Sequence, residues 1–337
     1  MNLSGDLANR IDQLAGRFDV APQFLATYLE TRPHVRGPIE LAVDEPDMFD
    51  KLGPLTGMYV RFALTTTERG QAFLDLVSSH CPQPKRFLDV GCAYGGFMRA
   101  LRRRGADVVG VEIDQALANL ASLNIRDLGG EVRHADILAT PAHSLGTFDL
   151  VACNDVIEHV ASAGALVRRI GELLAPGGVA YFEIPNRDAI AHVTSDGHFQ
   201  QFGLTLLPRE IAARALHEAT GKRYDDMGEM HAEAQYRTWF GEAHLQMLDV
   251  AQPHAQPRDV LNQQVFNLVN AFTWWHDHQR KSLSPDVGDA IVDRYWKYTA
   301  ALISGVESAR SGGKDWQRFE RRYLTPFWTF LLRKRGG

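Results

Sequence analysis

The stretch that most constrains this chain runs from residue 86 to 101 and reads RFLDVGCAYGGFMRAL. It begins with a short apolar run, Phe87 to Val90, which has the length of a buried parallel strand. A glycine-rich turn follows, and from Phe97 apolar residues recur at helical spacing until Gly105. Strand, glycine-rich turn and helix predict the first unit of an α/β sheet whose backbone passes close to a ligand.

The spacing of the glycines leaves two ligands open. A dinucleotide loop has the pattern G-x-G-x-x-G, which Gly91, Ala93 and Gly96 match with alanine in the second place. An S-adenosylmethionine loop has an acid two positions before the first glycine and then G-x-G-x-G. The stretch from Asp89 to Gly95 matches that pattern, with Ala93 as the same departure. The loop alone therefore does not choose between the two cofactors.

Polar residues follow the apolar runs farther along the chain. Runs at 108–111, 132–137, 148–153 and 179–184 predict four more strands, with helical stripes between them. Glu112 lies 21 positions after Gly91, about where a carboxylate meets ribose hydroxyls in such folds. Asp136 and Asn154 also come at strand ends. Each residue alone could be an ordinary strand-end or capping residue, but the carboxyl ends of parallel strands share one edge, which predicts a ligand site there.

Five segments in order now identify a resemblance. LDVGCAYGG, GVEID, HADIL, FDLVACNDVIEHV and LLAPGGVAYFEIPN resemble the class I S-adenosylmethionine-dependent methyltransferases over residues 86–186. The resemblance implies a Rossmann-like α/β fold, with a seven-stranded, mostly parallel sheet and helices on both faces. It also implies S-adenosylmethionine as the cofactor. We expect an N-terminal helical segment and a C-terminal helical insertion in addition to this core.

The resemblance assigns roles to individual residues. It puts Asp89 and the glycine loop at the amino-acid end of the cofactor. It puts Glu112 at the ribose hydroxyls and Asp136 at the adenine amino group. It puts Ile137 against the adenine ring and Asn154 under the cofactor. The full set that it assigns to cofactor binding is Asp89, Gly91, Ala93, Gly95, Glu112, Ile113, Asp136, Ile137 and Asn154.

A second motif carries acid and imidazole groups. On a helical turn, Asp155, Glu158 and His159 would share one face, where they could hold a divalent cation such as Mg²⁺. This D-x-x-E-H is similar to the E-x-x-E-H of the ubiquinone-biosynthesis O-methyltransferases and of small-RNA 2′-O-methyltransferases, in which it binds a divalent ion. Without a metal, His159 or His198 is the expected base, because neutral imidazole is available near pH 7. The catalytic candidates are thus His159, His198 and Asp155.

The chemistry required of the protein follows from the cofactor. The sulfonium methyl group needs no activation, so the site must place an acceptor lone pair in line with it. A hydroxyl acceptor must also lose its proton to a base or bind to a metal. The main prediction is O-methylation of a hydroxyl on a small molecule or a glycan or sugar precursor. N-methylation of a small amine, an NAD-dependent oxidoreductase and a non-catalytic S-adenosylmethionine-binding module remain as alternatives.

Composition limits the partners and the compartment. The net charge of −5 argues against a nucleic-acid or anionic-membrane binder, which would need a basic face. The largest basic clusters are 102–104, on the outer face of a predicted helix, and 333–335, in the C-terminal tail. No apolar run approaches membrane-spanning length. The three cysteines form no C-x-x-C pair, which is typical of a reduced, cytoplasmic protein.

The pattern along the chain predicts four parts. Residues 1–84 form a helical N-terminal cap, and residues 85–256 form the core with acceptor-side loops. Residues 257–318 carry two apolar stripes at helical spacing, which predict a hairpin that lids the pocket or makes a homodimer contact. Residues 319–337 contribute the last strand, placed at 323–332 with Pro326 at a bulge or edge, and the tail.

Overall fold

A seven-stranded sheet forms the centre of the protein. The computed structural model describes residues 5–32, 48–225, 227–248 and 258–336. The strands are β1 Arg86–Val90, β2 Asp107–Glu112, β3 Glu131–His134, β4 Phe148–Asn154, β5 Leu174–Pro185, β6 Leu245–Met247 and β7 Phe327–Lys334. Their order in the sheet is β3-β2-β1-β4-β5-β7-β6, and β7 alone runs antiparallel to its neighbours. This confirms the predicted Rossmann-like, mostly parallel sheet.

Helices connect and cover the strands. Before and within the first half of the sheet they are α1 Gly5–Phe18, α2 Pro22–Glu30, α3 Pro54–Leu64, α4 Thr66–Val77, α5 Gly96–Arg103, α6 Gln115–Ile125 and α7 Ala142–Leu145. The later ones are α8 Ala163–Leu173, α9 Ile190–Thr194, α10 Arg209–Thr220, α11 Glu233–Glu242, α12 Arg258–His278, α13 Pro285–Ser308 and α14 Gly313–Tyr323. Both the N-terminal helices and the long C-terminal hairpin of α12 and α13 were expected from the sequence.

The two faces of the sheet have separate cores. On one face, α8 and α11 pack over alternate strand residues such as Val151 and Phe182. On the other face, α4 and α5 pack over the intervening residues, among them Leu150 and Tyr181. This alternation is what places helices on both sides of a parallel sheet.

Two strands have different bounds in the structure from those predicted. The third strand stops at His134, because the Ala135 amide makes the last ladder bond, to the Glu112 carbonyl at 2.9 Å, and Asp136 then caps a turn. Asp136 and Ile137 therefore follow the strand. The last strand begins at Phe327, whereas residue 323 ends α14. Pro326 lies just before β7, since a proline has no N–H to donate to a ladder.

Helical additions flank the sheet at both ends of the chain. The N-terminal helices enclose a core of their own that reaches Leu120 on α6 and the ring of Tyr94 in the glycine loop. The hairpin of α12 and α13 shares a second core with α9, α10 and α14. None of the described helices is long and apolar enough to cross a membrane.

Candidate functional site

The glycine loop turns sharply at the carboxyl end of β1. Gly91, Ala93 and Gly95 have φ of +69°, +45° and +71°, so the backbone is left-handed at every second residue. Gly95 is the N-cap residue of α5, and no side chain caps this end of the helix. Such a loop brings backbone donors close to a bound ligand, as the sequence predicts. Ala93 holds this conformation despite its methyl group.

Glu112 ties the loop to the end of β2. One carboxylate oxygen accepts from the Ala93 amide and the other from the Asp114 amide, each at 3.0 Å. Each oxygen keeps a second lone pair, so the carboxylate can still accept from ribose hydroxyls. The next side chain, Ile113, is 67% exposed. An exposed apolar side chain beside the loop suits a flat, apolar ligand surface such as an adenine ring.

Asp89 lies buried beneath the same loop. Burial, together with the nearby charge of Glu112, raises the pKa of Asp89 to about 8, while Arg69 opposes the shift. A cationic group in the site would favour the ionised carboxylate. The ammonium group at the amino-acid end of S-adenosylmethionine has that charge. Asp89 thus fits its predicted role.

The residues expected at the adenine end follow β3. Asp136 is exposed, and one of its carboxylate oxygens accepts from the Leu138 amide at 2.8 Å, which leaves the other oxygen available. Ile137 is buried in the main core. Its contact with an adenine ring stays a prediction.

A polar group forms where β4 and β5 end. Asn154 donates to an Asp155 carboxylate oxygen at 3.1 Å. The Tyr181 hydroxyl lies 3.0 Å from a Glu183 oxygen and 3.3 Å from the Asn154 side-chain oxygen. Burial is the main cause that raises the pKa of both Glu183 and Asp155. The pKa of Asp155 is raised to about 7. Tyr181 and Glu183 were not predicted as site residues, because in sequence they are part of an ordinary apolar strand.

The D-x-x-E-H segment is a tight turn and not the helical turn that the sequence predicts. Asp155 has φ of +52°, and the His159 amide donates to the Val156 carbonyl at 2.9 Å. The left-handed residue breaks the helical register, so Asp155 does not join the face of the other two. Val156 packs directly against Gly91, where an added Cβ would lie 2.4 Å from it. The turn is therefore adjacent to the cofactor loop.

Glu158, His159 and His198 come together at this turn. One ligand atom from each lies within 4.8 Å of the others, and the rings of the two histidines are 5.0 Å apart. Glu158 is 1% exposed, and neither of its carboxylate oxygens has a hydrogen-bond partner. The buried Nδ1 of His198 also lacks one. The sequence predicts Asp155 as the third ligand beside Glu158 and His159. Among the described residues, Asp155 is not part of this group, and His198 is the third member instead.

The second histidine is delivered by a loop after β5. The buried Asp196 carboxylate accepts from the backbone amides of His198, Phe199 and Gln201, at 2.7–2.9 Å. This fixes the loop against the turn that carries Glu158. Burial lowers the pKa of His198 to about 4, so its imidazole is neutral at pH 7. Burial and the charge of Asp155 raise the pKa of Glu158 to about 8.

These three side chains fit a divalent cation. Buried carboxylate oxygens and a buried ring nitrogen without partners are costly unless something satisfies them. A cation would do so for all of them at once. One carboxylate with two imidazoles suits Mn²⁺, Fe²⁺, Co²⁺ or Zn²⁺ better than the Mg²⁺ expected from the sequence, because Mg²⁺ prefers oxygen ligands.

Arg69 is a site residue that the sequence did not indicate. It extends from α4, and its guanidinium stacks over Phe62 at 4.6 Å. Its Nε is buried and has no hydrogen-bond partner. Burial lowers the pKa of Arg69, while Asp155, Glu183 and Asp89 oppose that shift. Only the packing of α4 on α5 brings this cation to the site, which no local motif could show.

Comparisons with known proteins identify the family of the chain. The sequence profile of the methyltransferase domain family matches residues 63–250, which is more than half of the chain. The ubiquinone biosynthesis O-methyltransferase of Xanthomonas axonopodis pv. citri (strain 306) is 31% identical over 181 residues, which cover 53% of this chain and 70% of that protein. The enzyme of the same name from Ralstonia nicotianae (strain ATCC BAA-1114 / GMI1000) is 32% identical over 139 residues, covering 40% and 58%.

The comparison with solved structures gives a weaker likeness. The N-methyltransferase NodS from Bradyrhizobium japonicum WM9 superposes with a TM-score of 0.39 and 19% identity, covering 57% of this chain and 89% of NodS. The sequence profile, the relatives and the loop built around Glu112 lead to one conclusion. The chain belongs to the class I S-adenosylmethionine-dependent methyltransferases.

Proposed function

We propose that this protein transfers a methyl group from S-adenosylmethionine to a hydroxyl oxygen of a small-molecule or glycan-precursor acceptor. The observation that supports this most is the group formed by Glu158, His159 and His198 beside the cofactor loop. An oxygen acceptor needs such a group because its proton must be removed or its pKa lowered. The names of the relatives, which are O-methyltransferases, favour oxygen over nitrogen.

The protein's own residues then have separate tasks. Glu112, Asp89 and the glycine loop bind and orient the cofactor, and Arg69 donates to its carboxylate. The acceptor oxygen attacks the sulfonium methyl carbon, the carbon–sulfur electron pair stays on sulfur, and S-adenosylhomocysteine leaves. The proton of the hydroxyl passes to the imidazole of His159, whose side chain is 37% exposed and open to an acceptor.

A divalent cation is the second part of the proposal. Glu158, His159 and His198 would hold it, and Asp155 would contribute charge from nearby. When bound, the cation would act as a Lewis acid that lowers the pKa of an acceptor hydroxyl. With His159 occupied as a ligand, the proton would leave to solvent.

The location of the protein is also a proposal. Cys81, Cys92 and Cys153 are all free, and the last two are buried. Free cysteines fit a reducing compartment. We propose that the protein acts in the cytoplasm.

One assay tests the acceptor class. Purified protein is mixed with S-adenosylmethionine and separate pools of phenols, sugar nucleotides, glycans and amines, and release of S-adenosylhomocysteine is measured. Each pool is run with Mn²⁺, with Zn²⁺, with Mg²⁺ and with a chelator. We expect turnover on a hydroxyl pool that the chelator abolishes. Turnover on the amine pool alone would contradict O-methylation.

A binding measurement tests the cation without relying on turnover. Mn²⁺ or Zn²⁺ should raise the melting temperature of the wild type and should do so much less for Glu158→Gln and His198→Gln. His217→Gln is the matched control, because His217 is an exposed residue of α10 that is not part of the group. An equal rise in all four proteins would exclude a cation at this group.

A further inference from the structure

The helical hairpin has a second apolar stripe on the side away from its own core. On α12 the buried side carries Leu268 and Trp275. On the opposite side the residues at spacings of four, three and four are Asn262, Phe266, Val269 and Thr273. Phe266 and Val269 are exposed. This is the spacing by which one helix packs along another in a coiled coil.

The neighbouring helix carries a matching stripe. Trp296, Ala300 and Ile303 follow one another at spacings of four and three on α13, and Trp296 is 58% exposed. The ring of Phe272 on α12 stacks on Tyr295 at 3.9 Å and lies 5.8 Å from the ring of Trp296. The two stripes therefore flank the groove between the helices. We call Phe266, Val269, Trp296 and Ile303 the outer stripe.

The outer stripe is free of charge. No Asp, Glu, Lys or Arg occurs from residue 260 to 276. On α13 the charged neighbours of the stripe are Asp293 and Lys297, which pair with each other at 2.7 Å, and Glu307, which lies one turn after Ile303 at the end of the stripe. Depletion of charge with enrichment of Trp and Phe is the composition of an interface core. A helix that lies on a membrane surface would instead carry Lys and Arg on its polar side.

We propose that a second copy of this chain covers the outer stripe, so that two hairpins form a four-helix bundle around a two-fold axis. Two-fold contacts bring each surface against itself. A net charge of −5 per chain would oppose that elsewhere, but two uncharged stripes meet without repulsion. A helix with apolar residues on opposite sides also requires partners on both sides.

The size of the surface suits a stable dimer. α12 has 21 residues and α13 has 24. At about 1.5 Å per residue, and with helices about 10 Å apart, the whole outward face of the hairpin, with the outer stripe as its apolar part, presents roughly 600 Å². Two copies would bury roughly 1,200 Å² in total, which exceeds the ~1,000 Å² expected of a specific interface.

The oligomeric state of the full chain tests the proposal. Sedimentation velocity at tens of micromolar should show a dimer for the wild type and a monomer for Trp296→Glu and for the double variant Phe266→Glu, Ile303→Glu. Trp274→Glu is the matched control, because Trp274 is 54% exposed on the other flank of α12, where it stacks on His278. Binding of S-adenosylhomocysteine to each variant shows that it is folded.

The outcomes are separable. A dimer that Trp296→Glu dissociates and Trp274→Glu does not supports the outer stripe as the interface. A monomeric wild type overturns the proposal. So does a dimer that the outer-stripe variants leave intact, or one that Trp274→Glu dissociates equally.

Discussion

Ala93 lies between two glycines that share its left-handed backbone. Its φ of +45° is a conformation that L-residues adopt at a cost of about 1–2 kcal/mol. Ala93→Gly should relieve this cost, but it also makes the unfolded chain more flexible, which offsets part of the gain. The net effect should be a rise of about 0.5–1 kcal/mol in the free energy of unfolding. Urea unfolding of the cofactor-free protein measures it.

Gly95→Ala provides the opposite change at the same loop. Gly95 has φ of +71°. An added Cβ would lie 3.4 Å from Ala121, which is an ordinary van der Waals contact and not a clash. The backbone cost alone should lower stability by about 1 kcal/mol. If Ala93→Gly also destabilised the protein, the account of this loop would be wrong.

The buried Nε of Arg69 has no hydrogen-bond partner in the described structure. Hydrogen bonds to a charged group contribute about 1.5–3 kcal/mol. Arg69→Gln should therefore weaken S-adenosylhomocysteine binding by at least tenfold in titration calorimetry. The same variant should bind decarboxylated S-adenosylmethionine no worse than the wild type does.

Arg61→Gln is the control for that measurement. Arg61 is an exposed arginine of α3 that pairs with Asp50 at 3.6 Å. Its replacement should leave both affinities unchanged. Equal weakening of both ligands by Arg69→Gln would mean that Arg69 does not bind the carboxylate.

At the scale of elements, the contact between α4 and α5 brings Arg69 to the site. A Cβ on Gly96 would lie 2.1 Å from the Thr66 carbonyl, and one on Gly70 would lie 2.5 Å from the Gly96 carbonyl. Gly96→Ala should lower stability by about 1–3 kcal/mol through overpacking. It should also weaken cofactor binding, because α4 moves.

Gly16→Ala is the matched substitution in a helix without such a contact. Gly16 is exposed on α1 and has nothing within 4 Å of an added Cβ. It should raise stability by about 0.5–1 kcal/mol, since alanine is the better helix former. Similar losses from the two substitutions in urea unfolding would contradict close packing as the role of Gly96.

The strength of a second contact, between Arg99 on α5 and Asp127 just after α6, depends on pH. Arg99 is buried, and its guanidinium donates to both oxygens of Asp127 at 2.6 and 2.9 Å and to the Asn124 carbonyl. The hydrogen bond from Arg99 lowers the pKa of Asp127. The ion pair therefore stabilises the folded protein fully above about pH 4, since the ordinary pKa of an aspartate is about 4. This stabilisation is lost as the pH falls through the lower pKa that Asp127 has in the folded protein.

Asp127→Asn isolates this effect. The variant should be less stable than the wild type at pH 7, and the difference should shrink as the pH falls below about 4. Urea unfolding across that range measures it. In an Arg99→Met background, Asp127→Asn should make little difference at any pH. A difference that grows on acidification would contradict the ion pair.

The order of elements was predictable from the sequence, but their contacts were not. The apolar runs and the glycine loop indicate strands and crossovers because their signals are local. Gly96 is in that loop by sequence, yet its close contact is with Thr66 in α4. The turn at Asp155 was predicted as helical because its i, i+3, i+4 spacing suits a helix, and only the left-handed φ of Asp155 reveals otherwise.

At the scale of the whole molecule, the site combines parts that are distant in the chain. Glu112 is the last residue of β2, Glu158 follows β4, and His198 comes from the loop after β5. The sequence predicts the first two from strand ends and a motif. It names His198 as a base, but its place beside Glu158 depends on Asp196, which folds the loop through three backbone amides.

The identity of the cofactor is the central claim for the whole molecule. Titration calorimetry of the wild type with S-adenosylhomocysteine and with NAD tests it most directly. We expect the first to bind and the second not to. Glu112→Gln should weaken the binding by at least tenfold, about 1.4 kcal/mol, while Asp107→Asn at the exposed start of the same strand should leave it unchanged. Binding of NAD without S-adenosylhomocysteine, or unchanged affinity in Glu112→Gln, would contradict the account.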